Sequence, residues 1–433
     1  MRLGGRMAAA IEILADIEAR RRPVADALKD WGLSHRFAGS GDRAAIGNIV
    51  YDVLRRRRSL AWRMEDETPT AMVFAAILDS KGMGVKDLAI ALDGDRFAPQ
   101  MPSTDDFAAF RTRELSAAPG AVQADVPDWL ATRVEAAFGE DWIAEAAALS
   151  DRPPLDMRVN TLRADRDKVA KALTPFAATA TALAPQGLRI PPIAGDGRHP
   201  NVQVEAGFQK GWFEIQDEGS QIVALLAGAA PGMQVLDFCA GAGGKTLALA
   251  ASMENTGQIH AYDSDRQRLA PIHDRLKRAE VRNVQVHAPR DDIGELEGRM
   301  DLVLVDAPCT GTGTWRRRPD AKWRLAERQL DKRLEEQDAV LDAAARFVKP
   351  GGRLVYITCS LLPEENGARV AAFLERDAGA QFRVADAAGR WAEALPEAPK
   401  AYHASALGDG TTLTLTPRTT GTDGFFFAVL ERR

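Results

Sequence analysis

Two of the chain's three cysteines directly follow apolar runs: Cys309 in "DLVLVDAPCTGTG" and Cys359 in "GRLVYITCSLLPEEN". A thiol where a buried strand emerges can serve as a nucleophile, because its thiolate adds to electron-poor carbon and leaves again. A pyrimidine ring offers such a carbon. Cytosine C5 is too weak a nucleophile to take a methyl group, but a thiolate adding at C6 makes the ring an enamine. An acid near N3 helps that addition, and Asp306, three residues before Cys309, is placed for it by sequence. A base must later remove the C5 proton so that the thiol can leave. The residues alone do not say which thiol attacks. A free cysteine is otherwise a small buried hydrophobe, and that is the reading for Cys239.

Cys239 lies in "VLDFCAGAGGKTLALA", which reads as strand, glycine turn and helix. Three ligands compete for the turn. A dinucleotide loop wants GxGxxG, and Thr246 stands where its last glycine belongs. A P-loop wants GxxxxGK[ST], which "CAGAGGKT" misses only at Cys239, and "LVLVD" passes as its magnesium strand. S-adenosylmethionine wants an acid, three residues, then GxG, matched by Asp237, Gly241 and Gly243. Asp263, ending the next strand, can accept both ribose hydroxyls, which a P-loop enzyme does not need. The two cysteine motifs also belong to no nucleotide-hydrolysis site, so S-adenosylmethionine is preferred.

These residues need elements to hold them. From Phe213 onward, strands and helices alternate, as in a doubly wound parallel sheet covered on both faces. Its consecutive strands "DLVLV" and "RLVYI" would lie side by side and bring Cys309 and Cys359 to one ligand edge. The tail "TTLTLTPRTTGTDGFFFAVLERR" suggests a closing hairpin. Ahead of this domain, 214–433, come a helical domain, 1–125, and a small α+β domain, 126–213. The segment Asp42–Trp62 reads as one helix with Asp42 as cap, "PQGLRIPPIAGDGRHP" as a loop.

The 433 residues allow two or three domains, and 45% hydrophobic with 27% charged residues fits a globular chain. No apolar run reaches a membrane span, the start is not a secretory signal, and three cysteines form no disulfide framework. A cytoplasmic monomer is expected. The net charge of −5 is uneven: residues 1–63 carry 13 basic against 7 acidic residues, a local +6. Arg55–Arg58 are either a solvated helix end or an RNA contact. In "TWRRRPDAKWRLAERQ", Trp315 and Trp323 could stack on splayed bases while Arg316, Arg317, Arg318, Lys322 and Arg324 neutralise phosphates; the alternative is an exposed loop followed by a helix whose Trp is core.

"DFCAGAGGKT", "DAPCTGTG…RRRPDAKW", "TCSLLPEEN" and "GTDGFFFA" together resemble the motifs of the RsmB (Fmu/Sun) family of ribosomal RNA cytosine-5 methyltransferases, over about residues 150–433. "LDMRVNTLRAD" and "FEIQDEGSQIVALL" resemble that family's upstream segments. The Asp42–Trp62 segment resembles part of its NusB-like N-terminal domain. The resemblance implies a Rossmann-like class I methyltransferase domain, S-adenosylmethionine, and RNA, with small-subunit ribosomal RNA as substrate. It implies Cys359 as nucleophile and Cys309 as the thiol that assists release; in DNA cytosine-5 methyltransferases the Pro-Cys thiol attacks instead. It implies cofactor contacts at Cys239, Ala240, Gly241, Ala242, Gly243, Gly244, Lys245, Asp263 and Asp306. Two positions depart from the pattern. Gly241-Ala242 replace Ala-Pro, and Ala288 stands where an acid usually ends the third strand, with Asp291 or Asp292 as candidate substitutes. A transfer RNA substrate, or an assembly factor with a relict cofactor site, are the rival expectations.

Overall fold

Short runs of β-branched and aromatic residues build two sheets. The computed structural model describes residues 1–433. The smaller sheet is antiparallel, with β1 (Leu155–Val159), β2 (Thr179–Ala180), β3 (Gly187–Ile190) and β4 (Phe213–Ile215) in the order β2-β3-β1-β4. The larger sheet begins with four parallel strands, β5 (Gln234–Asp237), β6 (Gln258–Tyr262), β7 (Val284–His287) and β8 (Met300–Asp306). β9 (Val348–Thr358) extends it in parallel beside β8, and β10 (Phe382–Val384), β11 (His403–Leu407), β12 (Gly410–Leu415) and β13 (Phe425–Arg432) complete it. The order is β11-β12-β13-β9-β8-β5-β6-β7, with β10 paired to β13.

The parallel strands are apolar at nearly every position because both faces are covered. Successive residues point into opposite layers. Val235, Leu302, Leu304, Val355 and Ile357 fill one layer, while Leu236, Val303, Val305, Leu354 and Tyr356 fill the other. The tail is a hairpin: β12 and β13 are antiparallel, and β13 pairs antiparallel with β9.

The chain forms two compact units. The sheet-bearing unit holds residues 154–191, 200–314 and 326–433; the helical unit holds 1–153, 192–199 and 315–325. By their contacts, residues 126–153 group with the helical unit. The segment "PQGLRIPPIAGDGRHP" is not one loop, because its Gly187–Ile190 is β3. At the centre of the helical unit, Pro69–Lys81 is buried from Ala71 through Leu78. Thr68 caps its start by accepting from the Ala71 N–H at 3.3 Å, and Gly82 ends it in the left-handed region at φ 58°.

The expected helix Asp42–Trp62 is two helices, Ser40–Arg55 and Arg57–Met64, parted at Arg56 (φ −121°, ψ 34°). Its cap residue is Gly39; Asp42 instead pairs with the amino terminus at 3.0 Å and with Arg6 at 2.9 Å. The arginine run is held in ion pairs, with Arg55 buried and Arg56, Arg57 and Arg58 partly exposed. Arg55 is buried against Asp52 and donates to the Arg316 carbonyl, while Arg56, Arg57 and Arg58 pair with Asp79, Glu18 and Asp128.

The aromatic-basic strip is divided: Arg318 and Arg324 are exposed, while other members are enclosed. Trp315 and Lys322 are each 1% exposed, Arg316 is buried, and Trp323 donates to the Leu54 carbonyl at 2.6 Å. Lys322 donates to the Arg55 carbonyl, and burial pushes its ammonium down to about 8. Trp323 packs against the helical core, and Trp315 is too deeply buried to stack on a base.

Candidate active site

β5 ends at Asp237, and the chain turns through Phe238–Gly243 into the helix Gly244–Ser252. Gly243 makes that turn at φ 82°, where a Cβ would also stand 2.5 Å from Ile272 Cγ1. No other residue fits both restrictions. The loop hangs on neighbouring strand ends: Ala240 N–H donates to the Tyr262 carbonyl at 2.9 Å, and Gly241 N–H to Asp263 Oδ2 at 2.9 Å. Asp263, directly after β6, is 2% exposed, and its Oδ1 accepts from the Asp265 N–H at 2.8 Å. The Ala242 carbonyl accepts from Arg275 Nη1 at 2.8 Å. Burial keeps the Cys239 thiol well above its ordinary range, as suits an inert wall.

Beneath the loop, Thr246 Oγ1 donates to Asp237 Oδ2 at 2.7 Å, and Asp237 Oδ1 has no partner. Burial pushes the Asp237 carboxyl up to about 7. Lys245 Nζ bridges outward to Asp306 Oδ2 at 3.0 Å and Ser220 Oγ at 2.9 Å, 5.3 Å from the Phe425 ring centre. Residues 239–245, Asp263 and Asp306 thus share the carboxyl edge of β5, β6 and β8.

The register of β8 and β9 pairs Asp306 with Ile357, so the segments after both strands emerge together. Cys309 Sγ stands 3.4 Å from Cys359 Sγ. The hydrogen bond with Cys359, then burial, holds the Cys309 thiol well above its ordinary range. A dense network fixes the two loops. Glu365 accepts the Thr310 N–H at 2.8 Å and its hydroxyl, and Gln337 Nε2 reaches both Glu365 and the Pro308 carbonyl at 3.0 Å. Thr312 Oγ1 accepts from the Leu361 N–H at 2.8 Å, and Asn366 ties Thr358 to the Ser360 carbonyl. Gly313 N–H donates to the Cys359 carbonyl at 2.9 Å, and Gly424 N–H to the Gly313 carbonyl at 2.8 Å. Gly313 and Gly424 lie backbone to backbone: a Cβ on Gly313 would be 2.3 Å from the Gly424 oxygen.

At the end of β7, Ala288 N–H donates to Asp291 Oδ2 at 2.6 Å, which folds that carboxylate back to the position lacking an acid. Asp292 turns away and accepts the Gly294 N–H at 2.8 Å. Sequence reasoning missed Gln216, Ser220, Glu365 and Phe425. Its available signal was polarity at the start of an otherwise apolar helix, and an acid just beyond a buried strand.

The family model described as 16S rRNA methyltransferase RsmB/F matches residues 224–431, and that for the RsmF/B-like ferredoxin-like domain matches residues 126–192. A probable ribosomal RNA small subunit methyltransferase B of Synechocystis is 30% identical over 398 residues, 84% of this chain and 87% of that protein. The chain belongs to the RsmB/F family. A ribosomal RNA small subunit methyltransferase B of Enterobacter is 34% identical over 310 residues, which span 70% of this chain and 66% of that relative. A solved structure, a methyltransferase homolog from Pyrococcus horikoshii, is 28% identical with a TM-score of 0.59, over 72% of this chain and 98% of its own. RsmB/F membership agrees with the Rossmann-like sheet and the motif set at its carboxyl edge.

Proposed function

We propose that this RsmB/F protein transfers a methyl group from S-adenosylmethionine to C5 of a cytosine in small-subunit ribosomal RNA, through a cysteine–C6 adduct. The observation carrying this reading is the pair of thiols 3.4 Å apart beside a glycine loop. The loop fits the cofactor. The turn at Gly243 leaves no room for a side chain, and the Asp237 and Asp263 carboxyls are acceptors suited to an ammonium and to ribose hydroxyls. When bound, the cofactor supplies a methyl sulfonium toward which the activated C5 is nucleophilic.

The chain's own residues do the rest. Cys309, held as a thiol beside Cys359 at 3.4 Å, leaves Cys359 to attack as the thiolate. That thiolate bonds to C6, and the ring electrons move toward N3, to which the hydrogen-bonded Lys245–Asp306 pair supplies a proton. Once Cys359 is bonded to carbon, Cys309 has lost the partner that held its proton. Its proton passes to bulk solvent, and once the methyl group is on C5 the Cys309 thiolate takes the C5 proton; N3 returns its proton to the Lys245–Asp306 pair, the C5=C6 bond re-forms, the C6–S bond breaks and the Cys359 thiolate returns.

Paired variants test this. Cys359→Ala should give neither 5-methylcytosine, read by bisulfite sequencing, nor a covalent complex. Cys309→Ala should stall with a protein–RNA adduct that survives denaturing electrophoresis. The opposite pattern would exchange the roles. Methylation by both variants without any adduct would refute the covalent route.

A further inference from the structure

The Lys245–Asp306 pair does not stand alone. Gln216, directly after β4, links it to Arg158 on β1. Arg158 Nε donates to Gln216 Oε1 at 2.7 Å. A guanidinium has no acceptor, so it can face only the amide oxygen, and this decides the orientation of the whole amide. Gln216 Nε2 is then the atom that points into the site, where it donates to Ser220 Oγ at 3.1 Å and to the Gly244 carbonyl at 3.4 Å. Lys245, also purely a donor, gives a second hydrogen bond to Ser220 Oγ at 2.9 Å.

A hydroxyl oxygen has two lone pairs and one proton. Both lone pairs of Ser220 are occupied, by Gln216 and by Lys245. Its proton has no acceptor in the structure, and Ser220, as the third residue of the helix Glu218–Leu226, has no full helical turn before it to donate to. The serine is half-buried rather than turned out to water. Arg158 itself is buried, 7% exposed, and its side-chain hydrogen bond goes to Gln216, so the guanidinium acts on the site through that amide.

We infer that Ser220 is a substrate-contact residue: its hydroxyl, forced into the donor role by Gln216 and Lys245, hydrogen-bonds the O2–N3 edge of the target pyrimidine. Arg158 and Gln216 are its positioning residues. This rests on the reading that the site methylates cytosine through C6 addition. When the Cys359 thiolate adds, negative charge builds on that edge, and a fixed donor there stabilises the charge without having to reorient. The base offers acceptors at O2 and N3 and a donor at its amino group. Ser220 and Lys245 supply the donors, and Asp306 the acceptor. The arrangement is complementary to a cytosine edge, whereas uracil presents a donor at N3 and an acceptor at position 4.

The test uses the full chain, S-adenosylmethionine and a small-subunit ribosomal RNA transcript. Ser220→Ala should lower kcat and the rate of adduct formation by roughly 10- to 100-fold, below the full loss of a sole oxyanion donor because Lys245 remains. Calorimetric affinity for S-adenosylmethionine and the melting temperature should hold. Ser220→Thr, which keeps the hydroxyl, should recover activity to within about threefold of wild type, since one donor is restored. Arg158→Met, which frees the amide to flip, should slow adduct formation in the same sense as Ser220→Ala. Unchanged kcat in Ser220→Ala, with wild type methylating normally, would overturn the inference alone. A loss in Ser220→Ala that tracks a fall in melting temperature and is not rescued by threonine would also overturn it, leaving a purely structural serine. A wild-type protein that makes no 5-methylcytosine would overturn the function reading and this inference together.

Discussion

Gly313→Ala tests how tightly the two thiol loops are coupled. The added Cβ would lie 2.3 Å from the Gly424 oxygen and 2.7 Å from its carbonyl carbon and Cα, all backbone atoms that cannot swing aside. Ordinary contact begins near 3.4 Å, so one loop must move by about an ångström. Overpacking of this kind costs about 1–3 kcal/mol. The hydrogen bond from Gly424 to Gly313 goes with it, adding about 1 kcal/mol. Together the two contributions give a destabilisation of roughly 2–4 kcal/mol. Because Gly313 also donates to the Cys359 carbonyl, the displacement reaches the thiol pair. A misplacement of about 1 Å at a reacting group lowers turnover by about 100-fold. Gly367→Ala, where a Cβ meets nothing within 4 Å, is the control and should change stability by less than about 0.5 kcal/mol. Urea unfolding, adduct formation on RNA and cofactor calorimetry provide the readouts. The cofactor loop lies on other strands, so cofactor affinity should hold. A Gly313→Ala protein with wild-type stability and adduct rate would refute the coupling.

Asp263→Ala removes the acceptor of the Gly241 and Asp265 amides, and calorimetry should show at least a tenfold weaker S-adenosylmethionine affinity in a protein that still melts cooperatively; equal affinity would remove Asp263 from the site. Asp237 has a folded pKa raised by burial to about 7 from 3.8, so its protonated form contributes stability that is full below about pH 4 and lost as pH rises through about 7. Asp237→Asn should abolish that part of the pH dependence in urea titrations between pH 5 and 8, and an unchanged slope would contradict the raised value. Trp315→Ala should lower stability by about 3–5 kcal/mol, as expected for a fully buried indole, and any loss of RNA affinity should vanish under conditions where the variant is fully folded.

The candidate edge was legible in the sequence because each part announces itself locally. A buried parallel strand is a continuous apolar run, and the residues just beyond its end must emerge at one edge. Cys309, Cys359, Asp306, Asp263 and the glycine loop were all found that way. The hydrogen-bond partners were not, because Ser220, Gln216 and Arg158 meet Lys245 only through tertiary contact, and no local spacing encodes it. The basic strips misled for a related reason. Sequence shows the charge of Arg55–Arg58 but not Asp79, Glu18 and Asp128, which arrive from other helices. For Trp315 and Lys322 the composition left an RNA contact and a core position both open, because a Trp–Lys–Arg mixture suits RNA and long side chains can equally be buried when other elements cover them. The break at Arg56 carries no proline or glycine to mark it.

The strip 315–325, folded among the helices of residues 1–153, has a consequence for the order of synthesis. A ribosome releases the first 153 residues long before residue 325. At about 5–20 residues per second that interval is on the order of ten to thirty seconds. Throughout it the helical unit lacks Trp315 and Lys322, two side chains its finished interior encloses. The first domain to be made is therefore not the first that can be completed. During that wait the places later taken by Trp315 and Lys322 stay open, and only the chain's own later sequence can fill them.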